Sequence, residues 1–261
     1  MPTFQIEIRR FDSLPSTNLE AARLAAEGVP EGVCVVAREQ TAGRGRLQRE
    51  WQSPKDAGLY FSVILRPTLP QQSWPIITLM AAVAIHQALL DAFTINADIK
   101  WPNDLLVDDR KICGILAETV ETKRGRAVVV GIGVNLSAEA IPPGLEREAT
   151  AVEAVTGRRE EAETLLGPLT NALGKNYELL NEVDGVQSIL AAWVARSSYA
   201  SGKLVRVIES DKSFSGITRG LERDGALRVE IDAGEIRIVH AGDVATVRAE
   251  PGARYRQRRY E

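Results

Sequence analysis

The stretch TAGRGRLQREW, Thr41 to Trp51, interleaves Arg44, Arg46 and Arg49 with Gly43 and Gly45. Each guanidinium is a planar fork matched to carboxylate or phosphate oxygens, and glycine lets backbone N–H groups come close to an anion. Such a loop suits the holding of oxyanions. It is neither a phosphate-cradling G-x-x-x-x-G-K-[ST] nor a dinucleotide G-x-G-x-x-G, and GIGVNL at Gly131 to Leu136 fails the latter at its sixth position. Taken alone, the loop reads first as a solvated turn. Three further stretches change its weight: PSTN at Pro15 to Asn18, KWPNDLLVDDRKICGIL at Lys100 to Leu116, and GIGVNL itself. The first puts hydroxyls and an amide before a helix, which is also what an ordinary cap looks like. In the second, Asn103 and Asp104 lie at a strand end near Lys111, and a turn cap is the plainer alternative for Asp104. Lys111 and Cys113 stand two apart on a strand and so are expected to share a face.

The elements that must position these residues follow from periodicity. Alternation in FQIEIRR predicts a strand over Phe4 to Arg10. A helix follows, with Leu19, Ala22 and Ala26 at helical spacing, a Thr17/Glu20 capping box and a stop at Gly28. Strands GVCVVARE and GLYFSVILRP flank the arginine loop, and the apolar segment Trp74 to Phe93 is a helix packed across a sheet. Turns at Asp108-Asp109 and at Thr122 to Gly125 are too short for parallel crossovers, so the strands they join are antiparallel neighbours. The class is therefore α+β, with a mixed, mainly antiparallel sheet. Glu160 to Ser197 is helical in pattern, broken near Pro168 and near Asp184-Gly185. From Lys203 onward, short alternating strands punctuated by Gly and Asp-Gly predict a small β-barrel. The expected division is 1–200, 201–250 and a basic tail at 251–261. The strand GRAVVVGIG is expected to offer an edge for pairing in a homodimer.

With 32 Lys+Arg against 35 Asp+Glu, the net charge of -3 supplies no global field for nucleic acid or anionic lipid, so any basic function is local. The N-terminus lacks a secretory pattern, and no run is expected to reach the roughly 20 apolar residues of a membrane span. Two cysteines in apolar runs, Cys34 and Cys113, fit buried thiols in a reducing cytoplasm.

Taken together, the four motifs resemble the biotin protein ligases over nearly the whole chain, most specifically in Gly-Arg-Gly-Arg and in Lys-Trp-Pro-Asn-Asp followed by Arg-Lys and Gly-Ile-Leu. The resemblance implies a catalytic unit of the class II aminoacyl-tRNA synthetase-like kind followed by an SH3-like barrel. It implies biotin and Mg·ATP as substrates, a biotinyl-5′-adenylate intermediate, and transfer to a lysine of a biotin carboxyl carrier protein. Under it, Arg44, Arg46, Lys111 and Asp104 are catalytic. Ser16, Thr17, Asn18, Gln40, Gly43, Gly45, Gly114, Ile115, Gly131 and Gly133 join Arg44, Arg46 and Lys111 around biotin. Trp51, Asn103 and Asn135, with the same three cations, serve ATP, and Mg²⁺ arrives with the nucleotide rather than in a protein metal site. The pattern begins almost at Met1, so no operator-selective DNA binding is expected. Gln48 departs from the glycine usual there; if that position needs positive φ, the loop is strained. A lipoate or octanoyl enzyme using Cys113 and a non-catalytic biotin binder are the alternatives.

Overall fold

The computed structural model describes residues 4–209, 212–240 and 243–246. The expected tail at 251–261 lies outside the described residues. The first unit is a seven-stranded sheet in the order β1-β2-β3-β7-β6-β5-β4. Its strands are β1 (Glu7–Leu14), β2 (Val33–Gln40), β3 (Gly58–Leu65), β4 (Asp98–Lys100), β5 (Asp104–Val107), β6 (Arg110–Thr122) and β7 (Gly125–Asn135). Only β1 and β2 pair in parallel, through the crossover helix α1 (Thr17–Ala26); every other neighbouring pair is antiparallel.

Helices cover both faces. On one, Ala21, Leu24 and Ala25 of α1 pack on Val33, Val35, Ile64 and Val129. On the other, α2 (Pro75–Phe93) lies against β6 and is covered by α4 (Ala162–Leu180) and α5 (Gly185–Val194). Helix α2 is 19 residues long and apolar enough to cross a membrane by length and composition, which corrects the expectation that no run reaches that size. It is apolar on every side because neighbours surround it, and 72% of the apolar window is buried within the molecule.

Other expectations are also revised. The first strand runs from Glu7, not Phe4, because its ladder begins at Glu7 opposite Val33 while Phe4 turns aside to pack on Tyr177. Helix α4 passes through Pro168 unbroken, since the stripe Leu165, Leu169, Leu173 and Leu180 buries on α2 and outweighs one lost hydrogen bond. The break at Asp184 is real: its backbone is left-handed at φ 63°. GRAVVVGIG is no sheet edge, for β7 is flanked by β6 from Gly125 to Val134 and by β3 from Val128 to Asn135, so from Val128 onward its backbone is already paired on both sides.

A short helix α3 (Val152–Thr156) precedes α4. The C-terminal unit is a five-stranded antiparallel sheet, β11-β10-β9-β8-β12. These are β8 (Ser201–Glu209), β9 (Lys212–Leu221), β10 (Leu227–Glu230), β11 (Ile236–Val239) and β12 (Asp243–Thr246), the size and connectivity of an SH3-like unit. Its buried Val205, Val207, Leu227 and Val229 belong to the same apolar cluster as α2.

Candidate active site

A cavity of about 240 Å³ opens between the N-terminus of α1, the loop after β2, and the facing ends of β5, β6 and β7. Every sequence-predicted site residue lines it except Gly43. A side chain at Gly43 would start 2.2 Å from the Trp51 carbonyl oxygen, so this glycine shapes the loop from beneath rather than meeting the cavity.

The N-terminus of α1 is organised from a distance. The helix is capped at Ser16, not Thr17, and no side chain of its own makes the cap bond, so the capping box is absent. Instead Gln40 Oε1 on β2 accepts from the Thr17 amide at 2.8 Å and the Thr17 hydroxyl at 3.1 Å, while Glu20 pairs with Arg23. Ser62 Oγ lies 2.8 Å from Thr17 Oγ1 and 2.7 Å from Asn18 Oδ1, and its one proton serves these two acceptors. Asn18 Nδ2 donates to Glu118 Oε2 at 2.8 Å, and Glu118 Oε1 accepts from Arg44 at 3.0 Å. A single hydrogen-bond chain therefore joins the helix start to the arginine loop.

Lys111 occupies a bulge. Leu105 pairs with Cys113 but Leu106 with Lys111, so Ile112 is the extra residue. Alternation fails there: Ile112 and Cys113 both enter the core, while Lys111 and Gly114 face the cavity. The expectation that Lys111 and Cys113 share a face is thus overturned. Burial pushes the Cys113 thiol well above its ordinary range, and that of Cys34 up to about 12. The segment after β7 grips Lys111 from behind. The Lys111 amide donates to Glu148 O at 2.8 Å, and the Thr150 amide donates to Lys111 O at 2.9 Å. In front, Lys111 Nζ sits 2.6 Å from Asp104 Oδ1 and 5.3 Å from the Trp51 ring centre.

Asn103 is locked to Ile115 by Nδ2 to O at 2.8 Å and by the reciprocal amide at 2.9 Å, and its Oδ1 accepts from Arg46 at 3.0 Å. The floor is glycine. A Cβ on Gly133 would fall 2.6 Å from the Trp51 indole, and one on Gly131 would fall 2.1 Å from Asn18 Oδ1. These glycines therefore make room for Trp51 and Asn18. Among the described residues, the buried Trp51 Nε1 has no hydrogen-bond partner. Asn135 is buried and donates to Thr150 O at 3.1 Å.

The loop turns through Leu47 and Gln48 at φ 54° and 60°, so the position of concern is indeed left-handed. Two adjacent non-glycine residues there cost roughly 1–2 kcal/mol each. Bonds from the Gly45 amide to Arg49 O at 2.7 Å and from the Trp51 amide to Gly43 O at 3.0 Å hold the turn against that strain.

Two groups of residues escaped the sequence reading. Glu118 sits six residues past Ile112 inside β6, where nothing in the sequence marks it, and only the fold shows that it holds Arg44 and Asn18. Ala140, Pro142, Leu145 and Ala149 form an apolar wall; the run AIPPGL after β7 carried that signal.

Chemically, the cavity offers Arg44, Arg46, Arg49 and Lys111 above a glycine floor. The Arg44–Glu118 pair is partly exposed, at 44% and 31% of side-chain surface, so exchanging partners costs at most about 1 kcal/mol. A substrate anion can therefore recruit Arg44 cheaply. Among the described residues, no three His, Cys, Asp or Glu side chains gather as a metal site.

Comparison with known proteins gives this geometry a lineage. The profile of the Biotin/lipoate A/B protein ligase family matches residues 9–135, and that of the Biotin protein ligase C terminal domain matches 200–246. A Bifunctional ligase/repressor BirA of Bacillus subtilis is 36% identical over 238 residues, 89% of this chain and 72% of that protein. The Biotin--[acetyl-CoA-carboxylase] ligase of Paracoccus denitrificans is 35% identical over 88% of this chain and 96% of its own length. The biotin protein ligase from Aquifex aeolicus, solved with biotin and ATP, superposes with a TM-score of 0.79 at 26% identity, covering 92% of this chain and 97% of that one. With a C-terminal unit that also matches, the chain belongs to the biotin/lipoate protein ligase family and, within it, to the biotin protein ligases.

Proposed function

We propose that this protein condenses biotin with Mg·ATP to biotinyl-5′-adenylate and passes the biotinyl group to a lysine of a biotin carboxyl carrier protein. The observation that carries the proposal is one cavity uniting Arg44, Arg46 and Lys111 with Trp51 over Gly114 and Gly133. A carboxylate is already ionised at neutral pH and needs no base to attack the α-phosphate. The barrier lies in bringing two anions together and releasing pyrophosphate, which is a task of positioning and charge neutralisation.

Each side chain has a part in this. Lys111, fixed by Asp104 in front and by residues 148–150 behind, offers a compact charge to the reacting carbonyl and phosphate. Arg44 and Arg46 exchange Glu118 and Asn103 for the carboxylate and phosphoryl oxygens. The apolar wall and Trp51 flank the adenosine half, where Nε1 gains an acceptor. Gln40 and Asn18 spend their amides on Thr17 and Glu118, so their support for the ureido ring is to fix the Ser16-Thr17 backbone and hydroxyls. The thioester alternative lacks its nucleophile, because the Cys113 thiol is buried on the opposite face.

Mass spectrometry of a carrier domain incubated with the protein, biotin and Mg·ATP tests the proposal. One biotinyl group is expected to be gained with the wild type and lost with Lys111→Ala; a carrier left unmodified by the wild type refutes it.

A further inference from the structure

A second cavity, of about 200 Å³, lies where the Trp101-Pro102 approach to β5, the first turn of α2 and the β9–β10 turn of the C-terminal unit meet. Arg46, Asn103 and Ile115 line both this cavity and the first, so the two share a wall. The outer wall is built, not incidental. The Trp101 indole donates to Gly225 O at 3.0 Å, and Asp224 Oδ1 accepts from the Ala226 amide at 3.0 Å, which fixes the turn. Asp224 Oδ2 stands 3.3 Å from His240 Nδ1 at the solvent side. Thr78 of α2 completes the rim.

If the first cavity takes biotin and nucleotide, the third reactant must reach the adenylate by another route. That reactant is a lysine, which arrives as an ammonium ion on a long apolar stem. Asp224 and Trp101 both line this cavity, and a carboxylate with an apolar side chain in one lining suits such an ion, through charge pairing for the ammonium and apolar contact for the stem.

We infer that this second cavity receives the acceptor lysine, with Asp224 as counter-charge for its ammonium group and Trp101 as the wall beside its stem. The inference rests on the ligase reading above. In the transfer step the ammonium sheds one proton to water and the freed lone pair forms the C–N bond to the biotinyl carbonyl. The C–O bond to phosphate then breaks, AMP leaves with that electron pair, and the second proton goes to water.

The test separates the half-reactions. Asp224→Asn keeps the acceptor for the Ala226 amide, and Thr78→Arg plugs the rim without touching the turn. Both are expected to retain biotin-dependent exchange of labelled pyrophosphate into ATP within about twofold. Transfer to the carrier lysine should fall about tenfold in kcat/KM for Asp224→Asn and further for Thr78→Arg, the scale of one charged hydrogen bond. Release of biotin from the adenylate to hydroxylamine, a small nucleophile that needs no counter-charge, should stay at the wild-type rate for Asp224→Asn. Wild-type transfer by both variants would overturn the inference, as would loss of exchange in step with transfer, which would give the cavity to the nucleotide. Absence of exchange in the wild type would instead refute the ligase reading beneath it.

Discussion

At the scale of single residues, two glycines and one bulge do most of the shaping. Asn18 is held by Ser62, Leu116 and Glu118 and cannot step aside for a Cβ at Gly131 only 2.1 Å away. Gly131→Ala should therefore lower stability by about 1–3 kcal/mol, read as a fall in Tm. Cys113→Ala, by contrast, should leave ligation nearly intact while costing some stability in the core; loss of turnover with an unchanged Tm would revive the thioester alternative. The cationic residues and their glycines were legible in sequence because their types announce the chemistry. The face of Cys113 was not, because one inserted residue at Ile112 defeats any reading by twos. Nor was Glu118, whose meaning depends on a partner 74 positions away.

At the scale of elements, the arginine loop stores strain at Leu47 and Gln48 that its neighbours offset. Replacing Gln48 by glycine removes a left-handed side chain, and Gln48→Gly should raise stability by roughly 0.5–1 kcal/mol in urea unfolding. Helix α2 carries a different liability. Burial holds the His86 imidazole below its ordinary range although Nδ1 lies 2.8 Å from Ala97 O. The folded chain then takes up that proton at lower pH than the unfolded chain does. As pH falls below about 6.5 the unfolded state binds more protons, and stability drops. Urea unfolding at about pH 7.5 and about pH 5.5 should show this loss in the wild type and a smaller one in His86→Gln. Long periodic elements such as α2 and β7 were readable from pattern. Their neighbours were not: β7 reads like a strand of any kind, and only its pairing with β3 and β6 shows it to be central. Pro168 misled because local propensity ignores the leucine stripe that keeps α4 continuous.

At the scale of the whole molecule, short turns implied an antiparallel sheet and the change of texture near Ser201 implied a second unit, and both are seen. How the units meet was hidden, since Trp101 and Gly225 lie 124 residues apart. That contact ties the motif that presents Asn103 and Asp104 to the C-terminal unit, so the cavity is a property of the assembled chain. The chemistry proposed there turns on charge neutralisation between two anions, and exchange of labelled pyrophosphate into ATP measures that step alone. The wild type should exchange label only when biotin is present, and Lys111→Ala should slow exchange about 100-fold or more. Exchange that ignores biotin, or that Lys111→Ala leaves untouched, would contradict the account.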